Sequence, residues 1–118
     1  MPKIEYDISP VPAPRQTRSD NWKKRPCVMK YRAFKDECRL KKVELPKAFA
    51  HVTFVIPFPK SYSLKKKKSL NGKPHLQTPD LDNMCKALID AVYSQDSDVY
   101  DIRISKYWGY EGKIIIEN

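Results

Sequence analysis

The chain has 118 residues, 41% of them hydrophobic, and carries 23 Lys and Arg against 14 Asp and Glu, a net charge of +9. That length fits one domain with a modest core, and its apolar runs, around Val52 to Ile56 and Ile114 to Ile116, are far too short for a membrane span. So large a positive excess points to a polyanionic partner, nucleic acid before an anionic membrane surface.

The N-terminus, MPKIEYDISP, lacks the apolar centre of a signal peptide. Ile4, Tyr6 and Ile8 alternate with Lys3, Glu5 and Asp7, which predicts a half-buried strand over 3–9. SPVPAPRQTRSDNWKKRP follows, rich in proline and cations and without glycine. It reads as a long loop, and such loops in small domains are functional or disordered. Arg18, Lys23, Lys24 and Arg25 surround Trp22, which can stack on a base or sugar or can cover the edge of the core.

Pro26 suits a helix start, and Cys27, Tyr31, Phe34 and Cys38 recur at helical spacing, predicting a helix to about Val43. After Leu45-Pro46, AFAHVTFVIP reads as a strand closed by Pro57, with His51 a packed or surface residue within it. FPKSYSLKKKKSLNGKPHLQ then holds six lysines and no acid. Ser61 or Ser63 can cap a short helix through Lys65, Lys66, Lys67 and Lys68, and Asn71-Gly72 marks a turn. With Lys73, and with His75 expected solvated at the loop tip, these residues form a second surface for phosphate contacts.

TPDLDNMCKALIDAV, residues 78–92, gathers carboxylates beside this basic segment. Asp80 is a natural N-cap after Pro79. Leu81, Met84, Cys85, Leu88, Ile89 and Val92 make an apolar stripe, and Asp82, Lys86 and Asp90 form a row beside it, spaced by four. The bland reading makes Asp80 a cap and Asp82–Lys86 a surface pair. The functional reading notes that carboxylates at a helix entrance converge, with Asp96 and Asp98 in the short link SQDSD that follows. Phosphodiester hydrolysis uses a hard divalent ion held by one or two carboxylates, waters and phosphate oxygens. A nearby lysine can neutralise charge developing in the transition state. Basic loops and an acidic pit then belong to one device.

The strand VYDIRISKYW, a tight connection between Gly109 and Gly112, and the strand KIIIE complete the chain. The expected order is β-α-β-(loop/helix)-α-β-β, an α+β fold with a mixed β-sheet covered by helices, in a single domain over 1–118. Cys27, Cys38 and Cys85 form neither a metal pair nor a disulfide framework and read as free thiols of a reducing cytoplasm.

SLKKKKSLNGKPH, the block TPDLDNMCKALIDAV and QDSDVYDIRISKYWG resemble the RusA family of Holliday junction resolvases. PDLDN followed by a lysine at this spacing is the most specific part; the N-terminal half matches loosely. The resemblance implies a Mg²⁺-dependent endonuclease, with Mn²⁺ as a substitute ion, that acts as a homodimer and places paired nicks in four-way DNA junctions. It implies Asp80 and Asp82 as metal ligands, Lys86 as the essential lysine and Asp96 as the third carboxylate. The family often has two adjacent acids where this chain has Gln95-Asp96, so Asp98 or Asp101 can take a share of that role. Asp90 matches a helix acid for which a structural role is expected. The family also implies a bacterial cytoplasmic location and admits phage or prophage genes as the source. Two other readings stay open: a non-catalytic nucleic-acid-binding protein, and a metal nuclease for other branched DNA or RNA.

Overall fold

The computed structural model describes residues 3–14, 26–93 and 98–118. Within them lie β1 (Lys3–Tyr6), α1 (Pro26–Leu40), β2 (Ala50–Pro57), α2 (Leu64–Leu70), α3 (Leu81–Val92), β3 (Ile102–Gly109) and β4 (Lys113–Glu117). Alternation in β2 explains the layering, because Ala50, Val52 and Phe54 are buried while His51 and Thr53 are half-buried on the opposite face.

The four strands form one mixed sheet in the order β1-β4-β2-β3. β2 and β3 are parallel, with Val52 opposite Ile104 and Ile56 opposite Trp108. A parallel pair needs a long crossover, here the segment that carries α2 and α3. β4 runs antiparallel to both β2 and β1, placing Ile114 beside Phe54 and Tyr6, and Ile116 beside Val52 and Ile4.

Phe34 and Cys38 of α1 and Met84, Ala87, Leu88 and Ala91 of α3 join Val52, Phe54, Ile114 and Ile116 in one core. Burying a side chain such as Phe54 or Leu88 contributes about 1.5–3 kcal/mol, so the apolar stripe of α3 is what fixes that helix, and with it the acids at its start. Leu81, Ile89 and Val92 pack at the margin of the core, while Ala87 and Ala91 occupy its centre.

The fold class and element order agree with the sequence reading, and the boundaries differ locally. β1 ends at Tyr6; Ile8 is buried only after the chain leaves the sheet, and Ile4 is 42% exposed. α1 stops at Leu40, ahead of Lys42 in the left-handed region at φ 53°. Its first buried residue is Val28, and Cys27 is exposed. Gly109 closes β3 so near β2 that a Cβ there would collide with Val55 Cγ1, a close approach that only glycine permits.

Candidate active site and nucleic-acid interface

Asp80 occupies the N-cap of α3 with extended backbone, φ −69° and ψ 143°, and its carbonyl accepts from Met84 N at 3.2 Å. The expected side-chain cap is not made: the Asp80 carboxylate accepts no capping hydrogen bond from α3. It is exposed at the mouth of a cavity lined by Pro12, Ala13, Thr78, Pro79 and Asn83. Ala13 N donates to Asn83 O at 3.0 Å and so ties the N-terminal segment to this rim.

Asp82 lies in the first turn of α3, also exposed. Its charge adds to burial in raising the pKa of the Cys85 thiol, and burial pushes Cys38 up to about 11; both thiols stay protonated and inert at neutral pH. Lys86 stands one turn beyond Asp82. Its ion pair within the helix runs to Asp90 Oδ2, at 3.4 Å, and not to Asp82 as the bland reading had it. Asp90 Oδ2 also accepts from the Tyr31 hydroxyl at 2.9 Å.

Lys106 was not singled out by the sequence reading, although its pattern offers a signal. The alternation of β3 sets it on the face that carries Ile104 and Trp108, where a half-buried cation needs acceptors. It finds them in the loop ahead of Asp80: Lys106 Nζ donates to Gln77 O at 2.5 Å and to Pro79 O at 2.8 Å. The Thr78–Pro79 peptide in that loop is cis. β3 thereby holds the backbone immediately before the first carboxylate.

The lysine helix forms where expected. Ser63 is its N-cap, and its hydroxyl accepts from Lys66 N at 3.2 Å. Lys65, Lys66 and Lys68 are exposed, Lys67 is half-buried, and Lys73 is exposed in the return segment. After Gly72, at φ 79°, that segment runs along β3. Gly72 N donates to Trp108 O at 2.9 Å, Trp108 N to Lys73 O at 2.9 Å and His75 N to Lys106 O at 3.2 Å. The Phe58 ring stacks on Trp108 with centroids 5.2 Å apart, and Tyr62 lies 5.8 Å from the same indole. Lys66 Nζ sits 3.8 Å above the Tyr62 ring. The segments on either side of α2 are therefore anchored on β3, by rings before the helix and by backbone bonds after it, while α2 itself buries no residue.

One expectation for this segment fails. His75 is 2% exposed, packed 4.3 Å from Trp108, where a solvated loop tip was predicted. Its Nδ1 is buried without a hydrogen-bond partner among the described residues.

Trp22, Arg18, Lys23, Lys24, Arg25 and Asp96 lie outside the described residues, and Asp98 and Asp101 are exposed. Among the described residues, no three His, Cys, Asp or Glu side chains gather into a metal-holding group. Asp80 and Asp82 both stand at the entrance of α3, and Lys86 follows one turn later. The Asp80 carboxylate, not engaged in capping, and the exposed Asp82 carboxylate offer the hard oxygen donors that suit Mg²⁺.

Comparison with known proteins adds two findings. A family model described as Endodeoxyribonuclease RusA matches residues 7–117. The chain is also similar to an uncharacterized protein, YqaN of Bacillus subtilis (strain 168), with 36% identity over 66 residues. That match covers 49% of this chain and 46% of the relative, about half of each. No helix among the described residues is long and apolar enough to cross a membrane.

Proposed function

The chain belongs to the RusA family of endodeoxyribonucleases, and from that premise we propose that it is a divalent-metal-dependent nuclease that resolves four-way DNA junctions by paired symmetric nicks. The observation that carries this reading is the entrance of α3, where the Asp80 carboxylate at the N-cap makes no capping bond and Asp82 follows within one turn. Asp80 and Asp82 would hold the ion, with Asp96 as the third carboxylate. Mg²⁺ bound there, or Mn²⁺ in its place, would supply Lewis acidity toward the phosphate and lower the pKa of a water.

The protein's own residues do the rest. Lys86, one turn from Asp82, neutralises charge developing on the phosphate in the transition state. Lys65, Lys66, Lys67, Lys68 and Lys73 hold the DNA backbone from α2 and its return segment, and Arg18, Lys23, Lys24 and Arg25 add further cations for phosphate contacts. Such contacts position DNA without reading its sequence, so junction selection rests on DNA shape. A homodimer would present two identical sites to the pseudo-two-fold symmetry of the junction.

The alternative of a binding protein in which Asp80 caps and Asp82 pairs with Lys86 finds less support. Asp80 makes no side-chain cap, and the Lys86 pair runs to Asp90. The test is cleavage of a labelled four-way junction beside a matched duplex, with Mg²⁺ or EDTA. Symmetric nicks are expected only in the junction and only with Mg²⁺. Asp82→Asn should abolish them, a loss of at least about a hundredfold, while junction binding persists. Normal nicking by that variant would remove Asp82 from the metal site.

A further inference from the structure

Asp90 falls one turn beyond Lys86 on α3, and Tyr31 reaches it from the neighbouring helix α1. Both contacts converge on a single oxygen: Tyr31 Oη donates to Asp90 Oδ2 at 2.9 Å, and Lys86 Nζ lies 3.4 Å from the same atom. Tyr31 and Asp90 are half-buried, whereas the Lys86 side chain is 57% exposed. An isolated exposed lysine–carboxylate pair is weak and both partners wander among rotamers. Here the carboxylate is fixed from a second helix. Burial and the adjacent Asp90 push the Tyr31 phenol pKa well above its ordinary value, so Tyr31 remains a donor throughout the working pH range. The Lys35 ammonium sits 5.1 Å from the Tyr31 ring and leaves the hydroxyl to Asp90.

We propose that Tyr31 is a positioning residue for strand cleavage: it fixes the Asp90 carboxylate, which in turn holds the Lys86 ammonium one turn from Asp82. The inference rests on the proposed role of Lys86. A purely structural bond joining α1 to α3 would contribute to stability but would not depend on what Lys86 does, and this difference decides the test.

Single-turnover nicking of a labelled four-way junction with Mg²⁺, junction Kd in EDTA and thermal unfolding are measured for the full chain and for Tyr31→Phe, Lys86→Ala and the double variant. Tyr31→Phe should nick about tenfold more slowly, the scale of loss when a reacting group is misplaced, with Kd unchanged. In the Lys86→Ala background Tyr31→Phe should cost nothing further. Asp90→Asn keeps an acceptor for Tyr31 and removes the charge that faces Lys86, so it should fold and show the same slowing. That variant carries the test if Tyr31→Phe does not fold. A normal rate in Tyr31→Phe or Asp90→Asn, losses that add fully in the double variant, or a loss confined to Kd would overturn the inference. A wild-type chain that never nicks, or Lys86→Ala at full rate, would instead overturn the reading of the site beneath it.

Discussion

His75 stands between Pro74 and Leu76 in a lysine-rich loop, and nothing in its neighbours forecasts burial. Its burial comes from Trp108, distant in sequence but brought alongside when the return segment pairs with β3. Burial first, and the Lys106 charge second, lower the imidazole pKa from 6.5. The folded protein thus binds this proton less readily than the unfolded chain. The associated stability is present above pH 6.5 and is lost as pH falls through that value toward the depressed folded pKa. Thermal melts from pH 7.5 to 5.5 should show a falling midpoint, and His75→Phe should flatten that dependence. An unchanged slope in the variant would assign the acid sensitivity elsewhere. The acids of α3 behave differently: their place at the helix start was legible from Pro79, Asp80 and the apolar stripe. What the sequence could not convey is that the Asp80 carboxylate leaves the cap unmade and that Lys86 turns to Asp90. Lys106, which donates to Pro79 O, and Tyr31, which donates to Asp90, reach this helix from other elements.

At the scale of elements, α2 was readable only in outline: Ser61 or Ser63, four lysines and Asn71-Gly72 bracket it, loop or helix stayed open, and the structure forms a helix capped by Ser63. Its attachment was not readable, since Phe58, Tyr62 and Trp108 meet only after β2 and β3 have paired. Four consecutive helical residues spread their cations around α2, with Lys65, Lys66 and Lys68 exposed. Replacing Lys65, Lys66, Lys67 and Lys68 by glutamine should weaken junction binding and make the plot of log K against log salt shallower. Each lost phosphate contact contributes about 0.9 to that slope, so loss of two or three contacts is the expected range. Fluorescence anisotropy across a salt series measures it. An unchanged slope would place the phosphate contacts elsewhere.

Across the whole molecule, the α+β class and the order of elements followed from local patterning. The strand order β1-β4-β2-β3 did not, because it depends on pairings between the two ends of the chain. One protomer carries one Asp80–Asp82 entrance, whereas resolution of a junction takes two cuts. Sedimentation at the concentrations that support cleavage should therefore give twice the protomer mass, a closed two-fold pair. Heterodimers of wild-type and Asp82→Asn chains should nick one strand of the junction and leave its symmetric partner intact. A monomer that makes both cuts would overturn this arrangement.

The tether of α2 also has a consequence for solubility. β3 is the outermost strand on its side of the sheet, and the segment from Gly72 to His75 occupies the outward hydrogen-bonding groups of its last part, at Lys106 and Trp108. A bare strand there would be a template for joining other chains edge to edge. The segment that follows the lysine helix thus covers part of this edge against such pairing. A variant shortened through this loop would aggregate, and its failure to bind DNA would report misassembly and not lost charge. Swapping charges on an intact loop separates the two duties.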